Sequence, residues 1–180
     1  MIDIETCGTG PEACILTIAA QCFDPLERRD YTKDRFYYAR IDPGSQPDRR
    51  IEQSTIDWWA TQPPKAQEEA FGEDNRIPLQ QALEELGRLI WHSKRFWANG
   101  PTFDANILEH AYKSYNMALP WQFYVVRDAR TVYSLCPGLN KYPASHHALE
   151  DCRRQIDLLH DTLEYLNIKA LVWHRLVHLA

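Results

Sequence analysis

The sequence predicts an α/β protein: a sheet of mixed strand direction with helices on both faces. Three observations carry this expectation. Strand-like runs crowd the first quarter of the chain, helical stripes dominate the rest, and short strand-like runs are set between those stripes. With 180 residues, 44% of them hydrophobic, the chain is sized for one compact domain, taken as 1–180.

The elements follow in order. Residues 2–5 form a short strand candidate, and 13–23 are so continuously apolar that they read as a strand covered on both faces. Asp24 and Pro25 break the chain, and 35–41 resume with aromatic and β-favouring residues until Pro43 and Gly44 stop them. Together these make an antiparallel three-stranded meander. Ser54, with Asp57 three residues later, forms a cap pattern ahead of Ile56, Trp58 and Trp59 and predicts a helix that Pro63 and Pro64 end. After Pro78, the residues Leu79, Ala82, Leu83, Leu86, Leu89 and Ile90 share one helical face, in a helix running to about 93. A strand at 95–98, a helix at 103–115 and a strand at 123–126 come next. Leu149, Cys152, Ile156, Leu159, Leu163 and Leu166 then make the cleanest helical stripe in the chain. Residues 168–180 form a helical extension, with Leu171, Val172, Leu176 and Leu179 at helical spacing, suited to pack on the domain or against a second copy.

Composition narrows the function classes. Lys and Arg total 20 against 25 Asp and Glu, a net charge of -5, which excludes a broad electropositive face for gripping duplex DNA. No apolar run reaches membrane length, and Asp3 and Glu5 stand where an export signal would be basic, so the expected location is cytoplasmic. The five cysteines are scattered without a C-x-x-C pair, which argues for reduced thiols and against a thiolate zinc site.

Three clusters carry chemistry. Asp3 and Glu5 stand two apart in a strand, so both carboxylates leave one face of the sheet, and a divalent cation bound by hard oxygen ligands is the common way to neutralise such a pair. Asn99 to Asp104 turns from a short strand into a helix whose first turn holds Asp104. Ser145 to Asp151 brings His146 just ahead of the long helical stripe, where an imidazole can accept a proton near neutral pH.

In this order, Asp3-Ile4-Glu5-Thr6, then Asn99 with Phe103-Asp104, then His146-x-Ala148-x-x-Asp151, resemble the three motifs of the DEDDh 3′-to-5′ exonucleases, the superfamily of proofreading exonuclease domains, oligoribonuclease and RNase T. Thr55-x-x-Trp58-Trp59, Asn99-Gly100-x-x-Phe103-Asp104-x-x-Ile107-Leu108-Glu109 and Leu119-Pro120-Trp121 are similar to a phage and bacterial branch described as exonuclease VIII-like or 3′-to-5′ exoribonuclease. The resemblance implies a ribonuclease H-like, five-stranded mixed sheet. It also implies two Mg²⁺ or Mn²⁺ ions organised by Asp3, Glu5, Asp104 and Asp151, with His146 as general base. Family spacing selects His146 over His147 for that role. The implied substrate is the 3′ end of single-stranded or frayed RNA or DNA, released as nucleoside 5′-monophosphates.

Thr6 and Phe103 match positions that contact the terminal nucleotide in that superfamily, with Asn99 beside them. Trp58 and Trp59 cannot both face the core, so one offers a stacking platform for a base, and Trp58 is taken as the substrate contact. Arg127, Arg130, Lys141, Arg153 and Arg154 are the nearest cations to the third motif, while Asp128, Asp157 and His160 read as structural. A homodimer follows by analogy with RNase T and oligoribonuclease. The competing readings are a ribonuclease H-like endonuclease and a non-catalytic nucleic-acid-binding accessory protein of a phage.

Overall fold

The computed structural model describes residues 1–139 and 144–168. Lys141, Pro143 and the expected extension from 169 onward lie outside the described residues.

Strands β1 (Ile2–Thr6), β2 (Ile15–Gln21) and β3 (Phe36–Ile41) form the antiparallel meander, and β4 (Arg76–Ile77) joins β3 in parallel. The resulting four-stranded sheet has the order β1-β2-β3-β4, while β5 (Phe96–Ala98) and β6 (Val126–Asp128) pair in parallel as a separate ribbon. The single five-stranded sheet expected from the sequence is therefore corrected to four strands plus two. Local hydrogen bonding explains both departures. At one edge, the Asp42 N–H reaches the Ile77 carbonyl at 2.9 Å, and the Arg76 guanidinium donates to the Ile41 and Ala70 carbonyls, both at 2.6 Å, so a two-residue segment is captured beside β3. At the other edge, the Ile4 N–H donates to Asp104 Oδ1 at 3.2 Å, and β5 lies alongside β1 without a ladder between them.

Six helices complete the described fold: α1 (Gln53–Trp59), α2 (Pro64–Phe71), α3 (Leu79–Ile90), α4 (Pro101–Ser114), α5 (Ala129–Ser134) and α6 (Ala148–Tyr165). The expected Ser54 cap is not formed. The helix starts at Gln53 with Glu52 in the cap position, two residues earlier, no side chain caps it, and the Asp57 carboxylate instead accepts from Gln53 Nε2 at 2.8 Å, a one-turn pairing along the helix. The strand expected at 123–126 is a 3₁₀ turn over Phe123–Val125 that leads into β6.

Alternation in β1 does the positioning. Ile2, Ile4 and Thr6 are buried on one face, and Asp3 and Glu5 occupy the other. Every residue of β2 is buried, as a strand covered on both faces should be. Ile18 and Ala20 of β2 pack with Leu83 and Leu86 of α3 and with Leu108 and Tyr112 of α4, whereas Ala19, on the opposite face, packs with Cys152 and Ile156 of α6. Helix α6 thus crosses the face that carries the acidic pair. Helices α1 and α2 seat Trp59, Ala66 and Ala70 against Cys7, Cys14 and Leu16, and all five cysteines are free thiols. Among the described residues, no helix is long and apolar enough to cross a membrane.

Trp59 is 2% exposed, and its indole Nε1 donates to the Thr6 carbonyl at 2.9 Å, tying α1 to the end of β1. Trp59→Phe keeps the aromatic packing and strands that carbonyl, so urea denaturation should show a loss of about 1–3 kcal/mol. Unchanged stability would show that the tie contributes nothing.

Candidate active site

The five residues singled out as catalytic meet in one cleft of about 460 Å³, lined by Asp3, Glu5, Asp104, His146 and Asp151 together with Trp58, Asn99 and Phe103. Several structural causes bring them there. Strand alternation presents Asp3 and Glu5, and the β1–β2 register shifts between Glu5 and Thr6, an irregularity at the point where the second acid must be aimed. Gly100 (φ +96°) turns the chain sharply from β5 into α4, and Pro101 starts the helix. Asp104, in the first turn of α4, is buried, with Oδ1 on the Ile4 N–H. Asp151 sits in the first turn of α6.

The loop before α6 folds around Asp151. His146 has φ +57°, a left-handed conformation uncommon outside glycine and typical of constrained functional sites. The N–H groups of Ser145 and His146 both donate to the Asp151 carboxylate at 2.8 Å, and the Ser145 hydroxyl adds a contact at 3.1 Å. The His146 ring lies edge-on to Trp58 and Trp59, with centroids 5.0 and 5.8 Å away, and its Nδ1 is 3.8 Å from Glu5 Oε1. Ligand atoms of Glu5, His146 and Asp151 all fall within 4.8 Å of one another, close enough for one cation to bridge them.

The electrostatics of this cluster are unfavourable without a counter-charge. Two unit charges separated by that distance repel by on the order of 3 kcal/mol at an effective dielectric of about 20. Burial pushes Asp3 well above the usual carboxylate range, and the neighbouring Asp104 and Glu5 charges push the same way. Burial also raises Glu5, against the opposing pull of His146, and it lifts Asp104 to about 7. Pairing with the Glu5 carboxylate holds His146 above its ordinary value. Hard carboxylate oxygens, mostly buried and held by neutral donors, are a donor set that fits Mg²⁺ or Mn²⁺.

Among the expected substrate contacts, Trp58 (43% exposed), Asn99 and Phe103 reach the cleft, and Phe103 also packs against the core. Thr6 does not: it is buried, and its hydroxyl donates to the Gly8 carbonyl at 2.6 Å. Of the described cations named above, Arg130 and Arg154 line the cleft. Arg130 donates to Asn99 through Nη2 at 3.0 Å and packs over Gly100, and Arg154 lies 3.5 Å from Asp151. Arg127 is turned to the Tyr124 and Val126 carbonyls, and Arg153 lies over Phe36. His147 stacks on Tyr38 and faces Glu69 at 3.9 Å, apart from the cleft lining. Asp128 caps α5, Asp157 accepts from Tyr31, and His160 contacts the Asp24 carbonyl, all structural placements. Sequence reading missed Gln155, which donates to Asp3 Oδ1 at 2.7 Å. Its signal was present, four residues after Asp151 on the same helical face.

Comparison with known proteins adds two findings. Residues 1–163 match the family model described as the 3′-5′ exoribonuclease Rv2179c-like domain. An exodeoxyribonuclease of Enterobacteria phage T4 is 26% identical over 203 residues, covering 92% of this chain and 88% of the relative.

The raised carboxylates set a sign for stability. Asp3, Glu5 and Asp104 bind protons more tightly folded than unfolded, so their contribution is greatest in acid and is lost as pH climbs from about 4 through the folded value near 7 for Asp104. In EDTA, the melting temperature should fall between pH 5 and pH 8. Added Mn²⁺ should raise it, by more at pH 8 than at pH 5. Melting insensitive to Mn²⁺ at pH 8 would rule out a cation site here.

Proposed function

This chain belongs to the Rv2179c-like 3′-5′ exoribonuclease domain family and is a 3′-5′ exonuclease, and we propose that it shortens single-stranded or frayed RNA or DNA from the 3′ end by the two-cation chemistry of DEDDh enzymes on a ribonuclease H-like scaffold. The observation that carries this reading is the convergence of Asp3, Glu5, Asp104, His146 and Asp151 on one cleft. Divalent cations, when bound, acidify the attacking water and stabilise the leaving 3′-oxygen. Asp3, Glu5 and Asp151 would hold the ion on the water side. Asp3 and Asp104 would hold the one on the leaving-group side.

The chain's own residues do the rest. His146 turns Nδ1 toward the Glu5 carboxylate at 3.8 Å, which favours the tautomer with the proton on Nδ1 and leaves Nε2 to take the proton from the attacking water. Water then breaks the last phosphodiester, the phosphate leaves on the 5′-oxygen of the departing nucleotide, and the strand ends in a new 3′-hydroxyl. Trp58 presents a half-exposed indole on which a terminal base can stack, and Phe103 lines the same cleft next to Asp104 in the chain. Arg130, beside Asn99, is placed to meet a backbone phosphate. With a net charge of -5, attraction for the strand stays local, which suits a trimming enzyme that works on unpaired ends.

A 5′-labelled oligonucleotide with Mn²⁺ should show stepwise shortening that EDTA abolishes. One internal cut would point to an endonuclease, and retention without cleavage to a binding module. Asp3→Asn and Asp151→Asn should each remove detectable shortening while the protein stays folded. His146→Gln should lower kcat by roughly 10²- to 10⁴-fold, with His147→Gln within a few-fold of the parent. The same ladder on matched RNA and DNA strands measures the sugar preference. Full activity in either Asp variant overturns the proposal.

A further inference from the structure

Gln155 belongs to none of the motifs, yet it lines the acidic cleft and touches one of its acids. Its side chain leaves α6 one turn after Asp151, and its Nε2 donates to Asp3 Oδ1 at 2.7 Å. An amide that gives its NH₂ to a carboxylate turns its oxygen the other way. Here that oxygen, Oε1, is buried and has no hydrogen-bond partner among the described residues. Buried acceptors are nearly always satisfied, so an orphan on a residue that lines a polar cleft marks a place where something else donates. The backbone of the same residue is pinned as well, since its carbonyl accepts from the Tyr133 hydroxyl at 2.7 Å and joins α5 to α6. The orphan is therefore held in place by both ends of its residue.

Divalent cations in carboxylate sites keep part of their hydration shell, and the hydrogens of those waters need acceptors. We infer that Gln155 is a positioning residue for the cation site: Nε2 fixes the Asp3 carboxylate, and Oε1 accepts a hydrogen from water in the shell of a divalent cation held by the acids. The inference rests on the functional reading above, because it needs Asp3 to be a ligand. A residue that merely pins α6 to β1 would change stability and leave cation affinity alone.

Titration calorimetry of Mn²⁺ into the full chain, without nucleic acid, separates these roles. Gln155→Met keeps the volume and removes both polar atoms, and Gln155→Asn keeps the amide but draws it back by one methylene. Both variants should bind Mn²⁺ about tenfold more weakly or worse. At a fixed, subsaturating Mn²⁺ concentration, kcat should fall, with KM for the oligonucleotide unchanged. Melting in EDTA should stay within a few degrees of the parent, and if the Met variant does not fold, the Asn variant carries the test. Parental Mn²⁺ affinity in the folded variants overturns the inference, whether or not they melt earlier. Asp3→Asn is the control: if it loses Mn²⁺ binding while the Gln155 variants keep it, only this inference fails. If Asp3→Asn itself binds Mn²⁺ and shortens strands like the parent, the functional reading fails with it.

Discussion

Acids are gathered here by groups that carry no charge. Asp104 is held by the N–H of Ile4, Asp3 by the amide of Gln155, and Asp151 by the N–H groups of Ser145 and His146. Such donors orient carboxylates without neutralising them. An arginine in each of those places would have made the cluster comfortable and closed it to cations. Arg154 touches Asp151 from the rim, and Arg130 is engaged with Asn99. The scaffold therefore keeps its negative charge concentrated, and the hydrophobic packing on both faces of β2 supplies the stability against which that charge is assembled.

The same constraint explains the irregular backbone. A regular β1 edge would pair with β5 and leave no N–H for Asp104, and a regular β-turn before α6 would not aim two consecutive N–H groups at Asp151. The missing β1–β5 ladder and the left-handed His146 are the conformational cost of the cleft. Gly100 is the third irregularity, and a side chain there would meet the Arg130 guanidinium at 3.3 Å as well as opposing the positive φ.

Much of this was legible in the sequence, because period-2 and period-3.6 patterns report which face is buried. They located β1 to β3, α3, α4 and α6, and they put Asp3 and Glu5 on one face. What escaped was held by contacts remote in sequence. Strand β4 exists because the Arg76 side chain bonds carbonyls on other elements, a capture no local pattern records. Helix α5 is six residues started by the Asp128 side chain, too short to show a period. Trp58 and Trp59 could be divided into one exposed and one buried, but what holds Trp59 inward is the Thr6 carbonyl accepting its indole N–H, a contact remote in sequence. Thr6 resembled a nucleotide contact by its place in a motif, and the structure directs its hydroxyl to a neighbouring turn instead.

Asp3 and Gln155 are hydrogen-bonded across 152 positions of chain, and Ile4 and Asp104 across 100. Contacts of such long range form late, after the intervening loops have been closed. Until α6 packs against β1 and β2, Asp3 and Glu5 stand without Asp151 and Gln155, so the cleft is completed by the docking of a helix and by no local segment. Assembly of the acid cluster and closure of the described fold are therefore a single event.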